Sequence, residues 1–373
     1  MTVSLSFIYT TIGQLLSIYF YIFADSLLKE KNSIFVLVEM VFEGNTWINY
    51  FIYSVFALVA LLGNALVIYV LLVRQRKFLR KPYTIFILNL AIVDCITGVF
   101  LIFSRFLYLP PTPTYSLAAA QIYCRTIWSA WVPFNLGYIS IYTCLALTVE
   151  RWLAVVKPIA YKSVKMKHTL YSVLLVWFFG PAVNVTTLFR AEFANSSCRW
   201  TKISVANDVL ALMDFTLQSL LPFSVIIVLY SHIYFLIKHG RRLVTNKDVQ
   251  LKRITIVAVL ACSALILGWF PGRITFMLTK FGHLDANGKI NITCVMITFL
   301  NSCVNPFLYG IYSPAFRKEY KNFIRKAITS CYKTDNDNAS SLPKYADVCP
   351  CFSVPKVHSV VSNVNIRREK GFI

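Results

Sequence analysis

Seven long apolar blocks, at about 50–73, 83–108, 122–149, 169–189, 205–237, 254–279 and 290–312, constrain this chain more than any other feature. A helix rises 1.5 Å per residue, so a hydrocarbon core ~30 Å thick takes roughly 20 residues to cross. Each block is long enough. A large soluble protein with seven buried helices is the alternative, and the composition opposes it: 57% of residues are hydrophobic and 14% charged. The 21 Tyr and 29 Phe suit helix ends that meet membrane interfaces. The expected fold is an all-α membrane protein, a seven-transmembrane helix bundle.

The connections set its orientation. Arg74, Arg76, Lys77, Arg80 and Lys81 follow the first block. Lys157, Lys162, Lys165 and Lys167 follow the third, Lys238, Arg241, Arg242, Lys247, Lys252 and Arg253 the fifth. Arg317, Lys318, Lys321, Arg325 and Lys326 follow the seventh. The connection at about 109–121 has neither Lys nor Arg, and the next mixes Arg190, Arg199 and Lys202 with Glu192 and Asp208. Cytoplasmic loops collect positive charge, so the basic connections face the cytoplasm and the residues before Trp47 lie outside. The net charge of +21 then faces anionic lipid and a cytosolic partner, which disposes of nucleic acid. The uncharged stretch 1–24 reads as a signal peptide, an eighth hydrophobic segment or an unused upstream start. The division is thus an extracellular segment 1–46, a membrane domain 47–328 with a surface helix at 313–328, and a disordered cytoplasmic tail 329–373.

Ionisable groups in lipid are costly and face the bundle interior. Asp94 is the clearest case. Asn64 and Ser140 fall mid-membrane in the first and third blocks. Asn301, Asn305 and Tyr309 step along one face of the seventh at i, i+4, with Ser302 alongside. Pro306 has no N–H and leaves one carbonyl free for a polar neighbour or water. Small oxygen-bearing groups around one carboxylate suit a hydrated cation, or simply hydrogen-bond a neighbouring helix. Arg151 closes the third block, eleven residues and three turns from Ser140, so both can face inward. Alone, it either points inward or snorkels to phosphate.

GN at 63–64, LAIVD at 90–94, ERW at 150–152, Trp177, Pro222 with Tyr230, WFP at 269–271 and NPFLY at 305–309 fall one set per block. In that order they resemble the rhodopsin-like, class A, G-protein-coupled receptors, from about Asn64 to Phe316. The resemblance implies a receptor rather than an enzyme, coupled to a heterotrimeric G protein. It needs no cofactor and carries an allosteric sodium ion at Asp94, Ser140, Asn301, Ser302 and Asn305, with Trp269 above. Arg151, Tyr230 and Tyr309 match the inner triad, and Glu150, Pro271 and Pro306 complete the switch residues that move as the sixth helix swings outward. SPAFRKEYKNFI is similar to the family's amphipathic surface helix, with Phe316, Tyr320, Phe323 and Ile324 facing lipid and Cys331 open to palmitoylation.

Several positions depart from the family pattern. Glu150 and Trp152 stand for the commoner Asp and Tyr around the Arg. Leu251 stands where an acid of the sixth helix would clasp it, which implies an easier activation step. Gly268 and Leu265 replace the usual Cys and Phe before Trp269. Cys124 and Cys198 lie on the oxidising side, and their bridge resembles the family's disulfide, with Cys294 as a competing partner. Cys124 is two residues further from Arg151 than usual, and a kink or bulge at Pro133 accounts for them. Asn195, in NSS, is a glycosylation acceptor on the same side, with Asn184 and Asn291 as weaker ones.

No Asp or Glu occurs in 120–149, and Pro133 occupies the amine-binding position, which argues against a monoamine. Phe299 holds the position of the retinal lysine. Arg105 and Arg273 lie on the faces of Asp94 and Trp269, further out, and Asp214 is in the outer half of the fifth block. Two cations and an acid there suit a peptide terminus or anionic small molecule; an internal Arg273–Asp214 pair is the other reading. A transporter would show repeated halves, which are absent from this sequence, and the five His have no ligand spacing for an enzyme's metal. Ser340, Ser341, Ser353 and Ser359 in the tail are candidate phosphorylation sites for a receptor kinase and arrestin, or are merely solvated.

Overall fold

The computed structural model describes residues 46–106, 116–201, 207–239, 246–281, 283–284 and 289–341. The candidate signal peptide and the tail beyond 341 lie outside the described residues. Among the described residues, seven helices are long and apolar enough to cross a membrane. Named here by their main segments, they are α1 (Thr46–Tyr69), α2 (Pro82–Phe106), α3 (Trp131–Val156), α4 (Met166–Ala182), α5 (Leu221–His239), α6 (Asn246–Lys280) and α7 (Lys289–Tyr312), followed by α8 (Pro314–Ser341). The first unit of the chain ends at Phe323, and a second begins at Ile324, inside α8.

Within the first unit α3 is the central post, packed against α2, α4, α5 and α6, while α1 lies along α2 and α7, and α6 along α7. The sequence explains the difference in burial. α3 carries Asn135, Ser140, Thr143, Thr148, Glu150 and Arg151, all buried, because polar groups inside a bilayer must find protein partners. α4 is apolar on nearly every side and leaves Leu174 and Phe178 exposed to the surroundings. The main core joins Tyr138, Ile141 and Leu147 of α3 to Phe223, Ile226 and Tyr230 of α5 and to Cys262, Leu265 and Trp269 of α6.

The third span is not one continuous α-helix. A helix over Leu117–Tyr123 widens into a π-turn at Cys124–Trp128, and Ala130 adopts the left-handed conformation at φ 56° before α3 starts at Trp131. The two surplus residues are absorbed there, ahead of Pro133 and not at it. Pro133 sits in the first turn of α3, where a missing N–H leaves no helical bond unmade. A second π-turn, Thr216–Leu220, joins the Asn207–Phe215 helix to α5.

Cys124 is bridged to Cys198, and Cys294 is a buried free thiol. Cys198 belongs to a hairpin of β1 (Ala191–Ala194) and β2 (Ser197–Trp200). Asn195 and Ser196 form its two-residue turn, both at positive φ, as the twist of a tight hairpin demands. Asn195 is exposed at the tip. Asn184 is not an acceptor site: it is buried and bonded to Asn135 and Thr187.

The surface helix departs from expectation in two ways. It continues to Ser341, past residue 328, so the segment read as the start of an irregular tail is helical. Phe316 and Tyr320 do not face outward. Phe316 is buried against Tyr309 at 5.5 Å, and Tyr320 donates to the Pro306 carbonyl at 3.4 Å. Phe323 and Ile324 remain exposed. The Cys331 side chain lies outside the described residues. Glu319 fastens the first turns by accepting from Arg74 at 3.0 Å and Gln75 at 3.2 Å. The Arg74 hydrogen bond, and then its charge, hold the Glu319 carboxyl below its usual range. Its help in docking is therefore present above that range and lost as pH falls through the depressed value. Glu319→Gln should quicken amide exchange over 314–323 and leave α3 and α6 protected; unchanged exchange in those turns would refute the fastening role.

Candidate functional site

Three stations line the bundle interior. At the disulfide end, Arg273 of α6 is 3% exposed. Its guanidinium lies 5.0–5.5 Å from the rings of Phe134, Tyr138, Trp269 and Phe276. It donates to the Tyr138 hydroxyl and to Gln218 Oε1 at 3.3 Å, while its Nε has no partner. Gln218 is fixed in turn by the Tyr138 hydroxyl at 2.7 Å and by its own donation to the Val183 carbonyl at 2.8 Å. The π-turn at Thr216–Leu220 is what carries this glutamine, at 2% exposure, into the interior.

Asp214 does not pair with Arg273. Lys280 Nζ reaches its carboxylate at 2.6 Å, and the Thr186 hydroxyl donates to the same group at 3.0 and 3.2 Å. The reason is depth. Lys280 is seven residues, two turns, beyond Arg273 on the same face of α6, level with the start of the fifth span. The sequence reading missed Lys280, although that spacing was visible. The side chain of Arg105, near the end of α2, lies outside the described residues.

At mid-depth, Asn305 Nδ2 donates to Asp94 Oδ2 at 2.8 Å, with Ser302 beside this carboxylate. Asn64 Nδ2 donates to the carbonyls of Ala60 and Ser302, each at 2.8 Å. The Ser302 carbonyl is the one that Pro306, four residues on, cannot engage. Asp94 Oδ1, Asn64 Oδ1 and Asn301 Oδ1 are buried without partners. Ser140 is buried in the same bundle interior, 2% exposed. Trp177 ties α4 to α2 by donating to Asn89 Oδ1 at 2.9 Å, and Asn89 donates to Thr143 of α3 at 2.8 Å. Trp269 packs over Gly137, where a Cβ would lie 1.8 Å from the indole ring.

At the far end, Arg151 is 2% exposed and pairs with Glu150. Tyr161 closes the clasp by donating to Glu150 and accepting from Arg151 at 3.3 Å. Burial, and then the Glu150 carboxylate, raise the Tyr161 pKa, so its hydroxyl keeps the proton that it donates. The guanidinium stacks over Tyr83 at 4.7 Å. The missing acid at Leu251 is thus offset by Tyr161 and Tyr83, neither of which the sequence analysis singled out. Tyr230 turns its hydroxyl to Cys262 Sγ at 3.8 Å, and the Tyr309 hydroxyl is unpartnered, so the inner triad is not hydrogen-bonded together in this arrangement. A cavity of about 270 Å³ opens beside it, lined by Leu71, Tyr83, Leu147, Arg253, Tyr309 and Phe316 among others.

The model of the 7 transmembrane receptor (rhodopsin family) matches residues 63–309. The chain belongs to this receptor family. Somatostatin receptor type 1 from rat (Rattus norvegicus), mouse (Mus musculus) and dog (Canis lupus familiaris) is each 30% identical over 300 residues, covering 76% of this chain and 73% of the relative. As a rhodopsin-family receptor the protein is a multi-pass membrane protein of the plasma membrane and not an enzyme. The family implies an activating ligand and a G-protein partner. Among the described residues no group of His, Cys, Asp and Glu is placed to hold a metal ion.

Proposed function

We propose that this receptor binds a peptide or anionic small molecule from outside the cell and activates a heterotrimeric G protein by outward movement of α6. The observation that carries the ligand half is Arg273, a buried cation in an aromatic cage with one N–H unpartnered. A desolvated guanidinium of this kind favours a carboxylate partner. The names of its relatives tie them to somatostatin, and this likeness supports a peptide ligand. The positive loops support an orientation with the Arg151 end in the cytoplasm and the disulfide end outside. A receptor kinase and arrestin follow as later partners through the tail serines.

Arg151 is held by Glu150 and Tyr161 in the closed arrangement, and releasing it would present its cation beside the cavity lined by Tyr83, Arg253 and Tyr309. Ligand and G protein both prefer the open state, so each raises the affinity of the other. The test is expression with a panel of G-protein reporters, screened against acidic peptides and small organic acids. Arg273→Gln and Arg105→Ala should each weaken the response to an active acid; unchanged potency in both would overturn the anionic reading.

The mid-depth oxygens fit a sodium ion. Asp94, Ser140, Asn301, Ser302 and Asn305 would hold it, and the unpartnered Asp94 and Asn301 oxygens need a positive partner or a donor. Bound there, the ion supplies the charge that keeps Asp94 ionised and favours the closed bundle. Sodium chloride should raise the melting temperature of the purified receptor above its value in choline chloride, and Asp94→Asn should erase that difference. Equal sensitivity in the variant would remove sodium from this site.

A further inference from the structure

The charges around Arg273 do not balance. Arg190, at the disulfide end of the fourth span, is 7% exposed, and its Nε and Nη2 have no partner. Lys280 and Asp214, 7% and 8% exposed as side chains, neutralise one another. Arg190 follows Thr186 by one helical turn, and the Thr186 hydroxyl donates to Asp214 at 3.0 and 3.2 Å, so Arg190 stands near the Lys280–Asp214 pair. Asp214 is the only buried carboxylate at this depth among the described residues. Among the described residues, three cations against one carboxylate leave two uncompensated positive charges in this part of the bundle. Burying a charge without a full set of partners costs several kcal/mol per ion, so these cations favour an anionic ligand.

The cations are also spread out. Arg273 and Lys280 are seven residues apart on α6, about 10 Å along the axis. Arg190 belongs with the outer pair, one turn along from the Thr186 that donates to Asp214. One phosphate or sulfate group is too small to serve both levels. Two separate carboxylates are not. Resting on the anionic reading above, we infer that the ligand carries two carboxylates several ångströms apart, one seated on Arg273 and the other on Arg190 and Lys280.

Two sources offer that chemistry: a free aliphatic dicarboxylic acid, or a peptide whose terminal residue is Asp or Glu and so bears both a side-chain and a terminal carboxylate. The experiment uses the full-length receptor and reads thermal stability together with a G-protein reporter. Its probes are dicarboxylic acids of increasing chain length, the matching monocarboxylic acids, and short peptides ending in Glu or in glutamine amide. A diacid of matched length, or a Glu-terminated peptide, should act at concentrations at least about tenfold below its monoacid or amide partner. Whichever series does so identifies the source. Arg190→Gln should erase that advantage, and Arg190→Lys should restore part of it.

Monoacids as potent as diacids would overturn the paired-carboxylate inference while leaving an anionic ligand in place. Neutral amides as potent as the acids would overturn both. A folded receptor at the cell surface that answers no acid of either series counts against both as well. An Arg190→Gln receptor that keeps the diacid advantage would remove Arg190 from the site.

Discussion

Arg151→Ala should lose its G-protein response while the receptor still reaches the cell surface. Among the described residues the guanidinium is the one buried cation at the end of α3 that the proposed orientation turns to the cytoplasm, and its hydrogen bonds all go to Glu150 and Tyr161. A hydrogen bond from a charged group contributes about 1.5–3 kcal/mol, and each 1.4 kcal/mol is a factor of ten. Transferring that bonding to a G protein therefore matters by roughly tenfold to a hundredfold in coupling, and alanine offers nothing in its place. Glu150→Gln tests the other side of the clasp. It keeps Arg151 and removes the opposing charge, so basal signalling should rise. Measuring reporter output against surface-labelled receptor separates coupling from delivery. A normal response in Arg151→Ala, or a fall in basal output for Glu150→Gln, would contradict the release mechanism.

The second large effect is expected at Gly137. A methyl group there would sit 1.8 Å from the Trp269 ring, closer than any carbon pair can approach, so the indole must leave its seat. Overpacking a closed core costs about 1–3 kcal/mol. Here the displaced ring also belongs to the cage around Arg273, so stability and ligand response should fall together. Gly137→Ala should lower the melting temperature and blunt the response, and Trp269→Leu in the same chain should recover stability by making room. If the double variant is less stable than the sum of the two changes, the steric account fails.

Much of this molecule was legible in its sequence because membrane physics leaves few options. Seven apolar blocks, the polar residues within them and the charge of the loops fixed the number of spans and the interior positions of Asp94, Asn305 and Arg151. The carbonyl freed by Pro306 was foreseeable, and Asn64 takes it. Less legible were contacts that depend on helix phase. Two π-turns shift the register of the third and fifth spans, so Gln218 faced inward, while Asp214 met Lys280, at its own depth, instead of Arg273. Neither turn has a sequence mark comparable to a proline. Tyr161 was missed for a related reason: a residue in a short connection carries no periodicity, and only its position beside Glu150 gives it a role. The inward turn of Phe316 onto Tyr309 was likewise a matter of helix rotation that amphipathic pattern alone leaves open.

The break at Ala130 divides the third span mechanically. The hairpin is stapled to the short upper rod that ends at Trp128, whereas Phe134, Tyr138 and Arg151 ride on the lower one. At that joint the helical hydrogen-bond ladder is interrupted, and the Trp131 N–H turns to Ser129 Oγ. A ligand that reaches Tyr138 and Trp269 touches the lower rod directly, whereas one that grips only the hairpin meets it across the interruption.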